Sequence, residues 1–233
     1  MTSLFDEIVI TDGNREAFER IWHITDAHEG MVSLFIWGPS GSGKSTIAHA
    51  RGRERDLLST RRVISCHAAE LRASLESGVN DGFLDAVGEA DALILDGFES
   101  LFCDGVGQEL ARLLLTERNR RGLDTVVISD VALFDLDLAD ARDALVGYEI
   151  IEVEPLDEEG FELFAHRVHD RLQSGRDDAP IISDEALSFI AGPFRESPDD
   201  IRNAVRYLVT RSGEEAGSVI TLSQAKELLG YSS

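Results

Sequence analysis

The sequence predicts an α/β fold: a five-stranded parallel sheet with helices on both faces, followed by a small helical lid. Three observations carry this reading. Short apolar runs alternate with helical stretches up to Pro155, the pattern beyond is helical alone, and a glycine-rich octet directly follows the first apolar run. Short, continuously apolar strands separated by helices fit a parallel sheet, because crossover helices bury both of its faces. The boundary falls at Pro155, giving an α/β domain over 1–155 and a helical domain over 156–233.

The first strand is Val32-Ser33-Leu34-Phe35-Ile36-Trp37, and Gly38-Pro39-Ser40-Gly41-Ser42-Gly43-Lys44-Ser45 follows it. This octet is a complete phosphate-binding loop. Its glycines let successive backbone N–H groups converge on one anion, Lys44 reaches the terminal phosphates, and Ser45 offers a hydroxyl to Mg²⁺. Thr46 opens a helix whose N-terminal dipole also favours phosphate. A plain Gly/Ser turn is the bland reading, but every fixed position of the motif is filled and a strand stands in front. Residues 62–66 form a short β-rich run, followed by helical stretches over 68–75 and 81–89. Residues 91–96 form another buried strand, and a helix over 107–120 carries Leu110, Leu113 and Leu114 on one face. Residues 125–129 and 149–153 complete the five strands.

Beyond Pro155, one helix runs from Asp157 to about Leu172 and is punctuated by Gly175; residues 175–180 read as a loop. A second helix has Ser183 as its cap. A third opens Ser197-Pro198-Asp199-Asp200, with Ser at N-cap, Pro at the first helical position and acids in the first turn. The last begins at Thr221-Leu222-Ser223-Gln224, a capping box.

The strand ending in Asp96 carries the second nucleotide signal. Hydrolases with this loop place an acid at the end of a neighbouring strand to hold Mg²⁺, so Ser45 and Asp96 are the expected metal-site residues. Asp96 as a mere turn residue is the bland reading. In many such enzymes the next residue is a second acid that polarises the attacking water; here it is Gly97. Glu99 is the nearest replacement by sequence, and geometry must decide whether it reaches. An acid placed at Gly97 is expected to raise hydrolysis, provided its side chain points at the γ-phosphate and leaves the strand end undisturbed.

The formal net charge is −22, with 44 Asp and Glu against 22 Lys and Arg, of which only Lys44 and Lys226 are lysines. Such a surface repels duplex DNA at long range, which argues against strong direct DNA binding. No apolar run approaches the roughly 20 residues needed to span a bilayer, and the N-terminus lacks the basic region of a signal peptide. Cys66 and Cys103 match no metal or redox spacing and read as buried thiols of a reducing cytoplasm.

A phosphate-loop domain of five strands with a helical lid resembles the AAA+ ATPases, and within them the DnaA family of replication initiators with its short relative Hda. Ile8-Val9-Ile10-Thr11-Asp12-Gly13-Asn14-Arg15 resembles the family's segment near the adenine. Asp96-Gly97-Phe98-Glu99-Ser100-Leu101 resembles its strand-end motif, and Val127-Ile128-Ser129-Asp130 its sensor 1 strand. Glu154-Pro155-Leu156-Asp157 resembles the hinge into the lid, and Asp200-Ile201-Arg202-Asn203-Ala204 its sensor 2. The resemblance covers residues 5–230. It implies a P-loop NTPase of AAA+ type binding ATP or ADP with Mg²⁺ through residues 38–46, Asn14, Ser129, Asp130 and Arg202. Lys44, Asp96 and Arg202 are then the catalytic group, and a DnaA-like initiator or replicative helicase is the implied partner, with self-association open.

Departures from the family pattern are informative. The initiators carry a C-terminal DNA-binding domain, and this sequence stops where its lid is expected to stop. The family's arginine finger falls on Ala144 in the ungapped register, with Arg142 two residues away; an ordinary surface arginine is the competing reading. Ser3-Leu4-Phe5 resembles the end of a sliding-clamp peptide, but Met1 and Thr2 replace its start, and a tail tied to the core is the competing reading. A small-molecule kinase using the same loop and a nucleotide-binding adaptor without significant hydrolysis are the functional alternatives.

Overall fold

β-Branched and aliphatic runs form the five central strands: β1 (Ser33–Trp37), β2 (Val63–His67), β3 (Ala92–Asp96), β4 (Asp124–Ser129) and β5 (Glu149–Glu152). The computed structural model describes residues 8–24, 31–58, 61–78, 82–138, 141–174, 180–194, 197–211 and 218–231. All pairings between the five strands are parallel, in the order β2-β3-β4-β1-β5. β1, β3 and β4 are buried along nearly their whole length, as their unbroken apolar runs require.

The helices of this unit are α1 (Asp12–Trp22), α2 (Lys44–Leu58), α3 (Ala68–Ser77), α4 (Phe83–Glu89) and α5 (Gly105–Arg121). Alternation along the strands divides the core. Phe35, Leu93, Leu95 and Val127 face one way and pack with Leu71, Val87, Phe98, Ala111 and Leu115. Ile94 faces the other way, onto α2, where a Cβ built on Gly52 would meet its Cδ1 at 2.6 Å. Arg118 is fully buried and acts as a clamp, donating to the carbonyls of Val87 at 2.8 Å, Ala90 at 3.0 Å and Asp124 at 2.5 Å and to Thr125 Oγ1 at 3.0 Å. Burial pushes its guanidinium down to about 10, so it remains charged at neutral pH.

The second unit joins residues 8–11 to the chain from Leu156 onward, while Asp12–Pro155 form the first. Its helices are α6 (Glu158–Gln173), α7 (Asp184–Ala191), α8 (Pro198–Arg211) and α9 (Leu222–Leu228). Asp157 caps α6 by accepting the Gly160 N–H at 2.7 Å, and Thr221 with Gln224 completes the expected capping box of α9. The core includes Phe161, Phe164, Val168, Leu187, Ile190, Ile201, Val205 and Leu208.

Several expectations need correction. The second unit is not helical alone, because β6 (Ile181–Ile182) and β7 (Val219–Ile220) pair in parallel as a two-stranded sheet. Two residues per strand are too few to give a periodic signal in sequence. Residues 8–11, expected in the α/β domain, belong to the helical unit, where Val9 is in its core. Asp12–Trp22 form a helix that the sequence reading left unassigned. Ser183 occupies the N-cap of α7 without a side-chain cap bond. Cys66 is buried as expected, but Cys103 is exposed. The clamp-like Ser3-Leu4-Phe5 and loop residues 175–179 lie outside the described residues.

Candidate nucleotide site

β1 ends at Trp37, and the chain curls through residues 38–43 before α2 begins at Lys44. Gly38 has φ +155, and a Cβ there would lie 2.1 Å from the Val153 carbonyl oxygen, so the loop passes β5 at a distance only glycine allows. Gly41 and Gly43 also take positive φ, +81 and +90. A Cβ on Gly43 meets no atom within 4 Å, which leaves that side of the cradle open. Pro39, Ser40, Gly41 and Thr46 are exposed, whereas Gly38 and Ser42 are buried.

Lys44 is buried to 4 % exposure, and its Nζ donates to the carbonyls of Gly38 at 2.7 Å and Pro39 at 2.8 Å and to Ser42 Oγ at 3.3 Å. It also forms an ion pair with Asp130 Oδ1 at 3.0 Å. Asp130 is half-exposed just beyond the end of β4, and its backbone N–H donates to Glu99 Oε2 at 3.2 Å. Ser129 is buried, and its hydroxyl donates to the Val131 carbonyl at 2.8 Å while accepting the Val131 N–H at 3.0 Å. Loop, lysine and the end of β4 thus meet at the carboxyl edge of the sheet, where open parallel sheets bind ligands.

Asp96, at the end of β3, accepts a hydrogen bond from the Ser45 hydroxyl, bonds His49 Nε2 at 3.1 Å through Oδ2, and accepts the Gly97 N–H at 2.9 Å through Oδ1. The far ring nitrogen of His49, Nδ1, bonds Ser65 Oγ. Burial alone raises the Asp96 carboxyl; the hydrogen bonds from His49, Ser45 and Gly97, with the charge of His49, outweigh it and hold the group below the usual carboxylate range. Asp96 is therefore ionised at neutral pH and pinned on two sides. Sequence reasoning missed His49, whose one signal is its place one helical turn after Ser45 on the same face.

The structure brings together residues 38–45, Asp96, Ser129 and Asp130. Asn14 lies buried in α1, whose Gly13 carbonyl accepts the Glu154 N–H at 3.0 Å. Arg202 lies in α8 of the helical unit, paired with Asp199 and with its guanidinium 5.4 Å from the Phe164 ring centroid. Ala144, at the finger register, is buried and its carbonyl accepts from Asn119 Nδ2 at 2.7 Å; Arg142 is exposed. Among the described residues no group of three or more His, Cys, Asp or Glu is arranged to hold a metal. The donors present suit Mg²⁺, which takes one or two protein ligands and completes its shell from phosphates and water: Ser45 and Asp96 would hold it.

A phosphate loop leaving the fourth strand of the order β2-β3-β4-β1-β5, with an acid ending the second and a polar residue ending the third, is the layout of the P-loop NTPase fold of AAA+ type. Among proteins of that fold, the replication initiator DnaA is similar to this chain. The chain is similar to domain III of DnaA from Thermotoga maritima, with a TM-score of 0.80 at 21% identity over 97% of this chain and 95% of that one. It is similar also to AMPPCP-bound DnaA from Aquifex aeolicus, with a TM-score of 0.69 at 20% identity, covering 88% of this chain and 64% of that one. The DnaC helicase loader matches at a TM-score of 0.54 and 18% identity, over 65% of this chain and 96% of the loader. No family model and no curated protein sequence matches the chain. At such identities the likeness is one of fold.

Proposed function

We propose that this chain binds ATP or ADP with Mg²⁺ in the loop over residues 38–46 and acts as a nucleotide-controlled switch of the DnaA/Hda kind. Its partner on this reading is a DnaA-like initiator or a replicative helicase, and the partner, rather than this acidic chain, contacts DNA. The observation that carries the proposal is the cluster of Lys44, Ser45, Asp96 and Asp130 around a glycine cradle. AMPPCP-bound DnaA and the helicase loader share the fold and support the reading. The backbone N–H groups of the loop and the amine of Lys44 would hold the phosphates, while Ser45 and Asp96 would hold Mg²⁺. When bound, Mg²⁺ neutralises phosphate charge and polarises the terminal phosphoryl group.

Two features favour an adaptor that holds nucleotide for long periods over an efficient ATPase. Position 97 offers no carboxylate, and the finger register falls on the buried Ala144. Sliding-clamp contact through residues 3–5 and self-association belong to the same proposal and carry less support. Nucleotide binds only the folded chain, so it raises the melting temperature by mass action. With Mg²⁺ present, ATP or ADP is expected to shift wild type and leave Lys44→Ala unshifted; no shift in wild type overturns the proposal.

Arg202 is proposed to couple nucleotide to the helical unit, against the competing reading of a surface arginine paired with Asp199. Its substitution by Ala is expected to weaken nucleotide affinity or to erase a nucleotide-dependent change in proteolysis of that unit. If neither changes, Arg202 is no sensor.

A further inference from the structure

His67 ends β2 and is the partner of Asp96 in the β2–β3 register. Its ring stands directly over Gly97: a Cβ built there would lie 2.2 Å from His67 Nε2 and 2.3 Å from Cε1. The volume in which a side chain at 97 would begin is therefore filled by an imidazole from the neighbouring strand. The same ring caps α3. Its Nδ1 accepts the Ala69 N–H at 3.1 Å, and the His67 N–H donates to Glu70 Oε2 at 3.1 Å, completing a capping box.

That cap fixes the tautomer. A ring nitrogen that accepts a hydrogen bond carries no proton, so neutral His67 has its proton on Nε2, the nitrogen beside Gly97. The ring thus brings an N–H donor beside the position from which related hydrolases extend a second acid. A donor in this position has no lone pair with which to take a proton from water; it suits an acceptor, and an anionic oxygen makes the stronger bond. Position 97 directly follows the Mg²⁺ residue Asp96, on the side where a second acid would meet water at the terminal phosphate.

We propose that His67 is a terminal-phosphate contact: its Nε2–H donates to an oxygen of the last phosphate of a bound nucleoside triphosphate, so that the site distinguishes triphosphate from diphosphate. The proposal rests on the nucleotide-binding reading above. It assigns to β2 a specificity residue that no motif in the sequence marks.

His67→Asn separates the two roles of the ring. Asn is among the best N-cap residues, so its side-chain oxygen preserves the cap of α3, while the donor beside Gly97 is lost. Calorimetric titration with Mg²⁺ and either a non-hydrolysable ATP analogue or ADP reads the effect. In His67→Asn the analogue is expected to bind roughly tenfold or more weaker, the size of one hydrogen bond to a charged group, with ADP affinity and the nucleotide-free melting temperature unchanged. Nitrogen NMR of the nucleotide-free wild type is expected to show a protonated Nε2 and a bare Nδ1 for His67, with the Nε2 signal moving on addition of the analogue and not of ADP. Equal weakening of both ligands, no weakening of either, or a proton on Nδ1 overturns the role of His67 while leaving nucleotide binding intact. Failure of wild type to bind either ligand removes the nucleotide reading itself, and this proposal with it.

Discussion

Gly97 has φ +66, in the left-handed region that side chains with a Cβ adopt only at a cost of about 1–2 kcal/mol. The His67 ring lies against it. The condition on which an acid at this position would raise hydrolysis, an undisturbed strand end, is not met, because the first atom of the new side chain collides with an imidazole tied to α3. Gly97→Glu is expected to lower the melting temperature and to leave single-turnover hydrolysis no faster than wild type; a faster turnover in a stably folded variant would contradict this. Glu99 is tethered by the Asp130 N–H, beside the residue that pairs Lys44. This places it at the rim of the site, two bonded contacts from the loop lysine.

In the helical unit, the two-residue strand β6 is fastened to α6 by a buried imidazole, beside Gln173, whose Nε2 donates to the Pro180 carbonyl at 2.5 Å. His169 Nε2 accepts the Ile182 N–H at 3.1 Å, which requires that nitrogen to be bare. Burial, with the neighbouring His166, lowers the pKa of His169, against the opposing pull of Asp170 and Asp184. A depressed histidine favours the neutral form in the folded state. Its contribution is therefore full above the unfolded value of about 6.5 and is lost as pH falls towards the lower folded value. Denaturation of the wild type is expected to show stability declining on acidification below about pH 6.5, with a shallower decline in His169→Gln. Identical slopes would show that His169 carries none of the dependence. The neighbouring helix α6 depends on a different device, since its Asp157 cap answers an orphan N–H at its first turn and is legible in sequence.

For the molecule as a whole, net charge and the residues around the loop set the expectations. A net charge of −22 opposes the phosphate backbone of DNA, and no appreciable affinity of this chain for random duplex is expected at physiological salt. Submicromolar binding in an equilibrium assay would reveal a basic surface strong enough to overcome that field. Hydrolysis of ATP by the isolated chain is expected to be slow. A missing general base forfeits roughly 10²–10⁴-fold in rate, and a missing arginine finger about 10³–10⁵-fold. Turnover comparable with efficient ATPases in a single-turnover assay would require a base the site does not display. No helix among the described residues is long and apolar enough to cross a membrane.

The five strands, the glycine loop and most of the helices were legible in the sequence because each rests on local chemistry. Unbroken apolar runs mark strands buried on both faces, glycines mark backbone that must turn towards an anion, and Asp157 and Thr221 mark helix starts. Lys44, Ser45 and Asp96, which the fold brings together, stood out for the same local reasons: the spacing of the loop marks the first two and the end of an apolar run marks the third. Tertiary structure alone decided what depends on residues distant in sequence meeting in space. Only the fold brings His49 to Asp96, the Asp130 carboxylate to Lys44, and the His67 ring to the place where Gly97 has no side chain. It also buries the Arg118 guanidinium among three backbone carbonyls and draws residues 8–11 into the helical unit. None of these contacts is itself written as a period or a motif, because each joins segments whose separate patterns are satisfied without it.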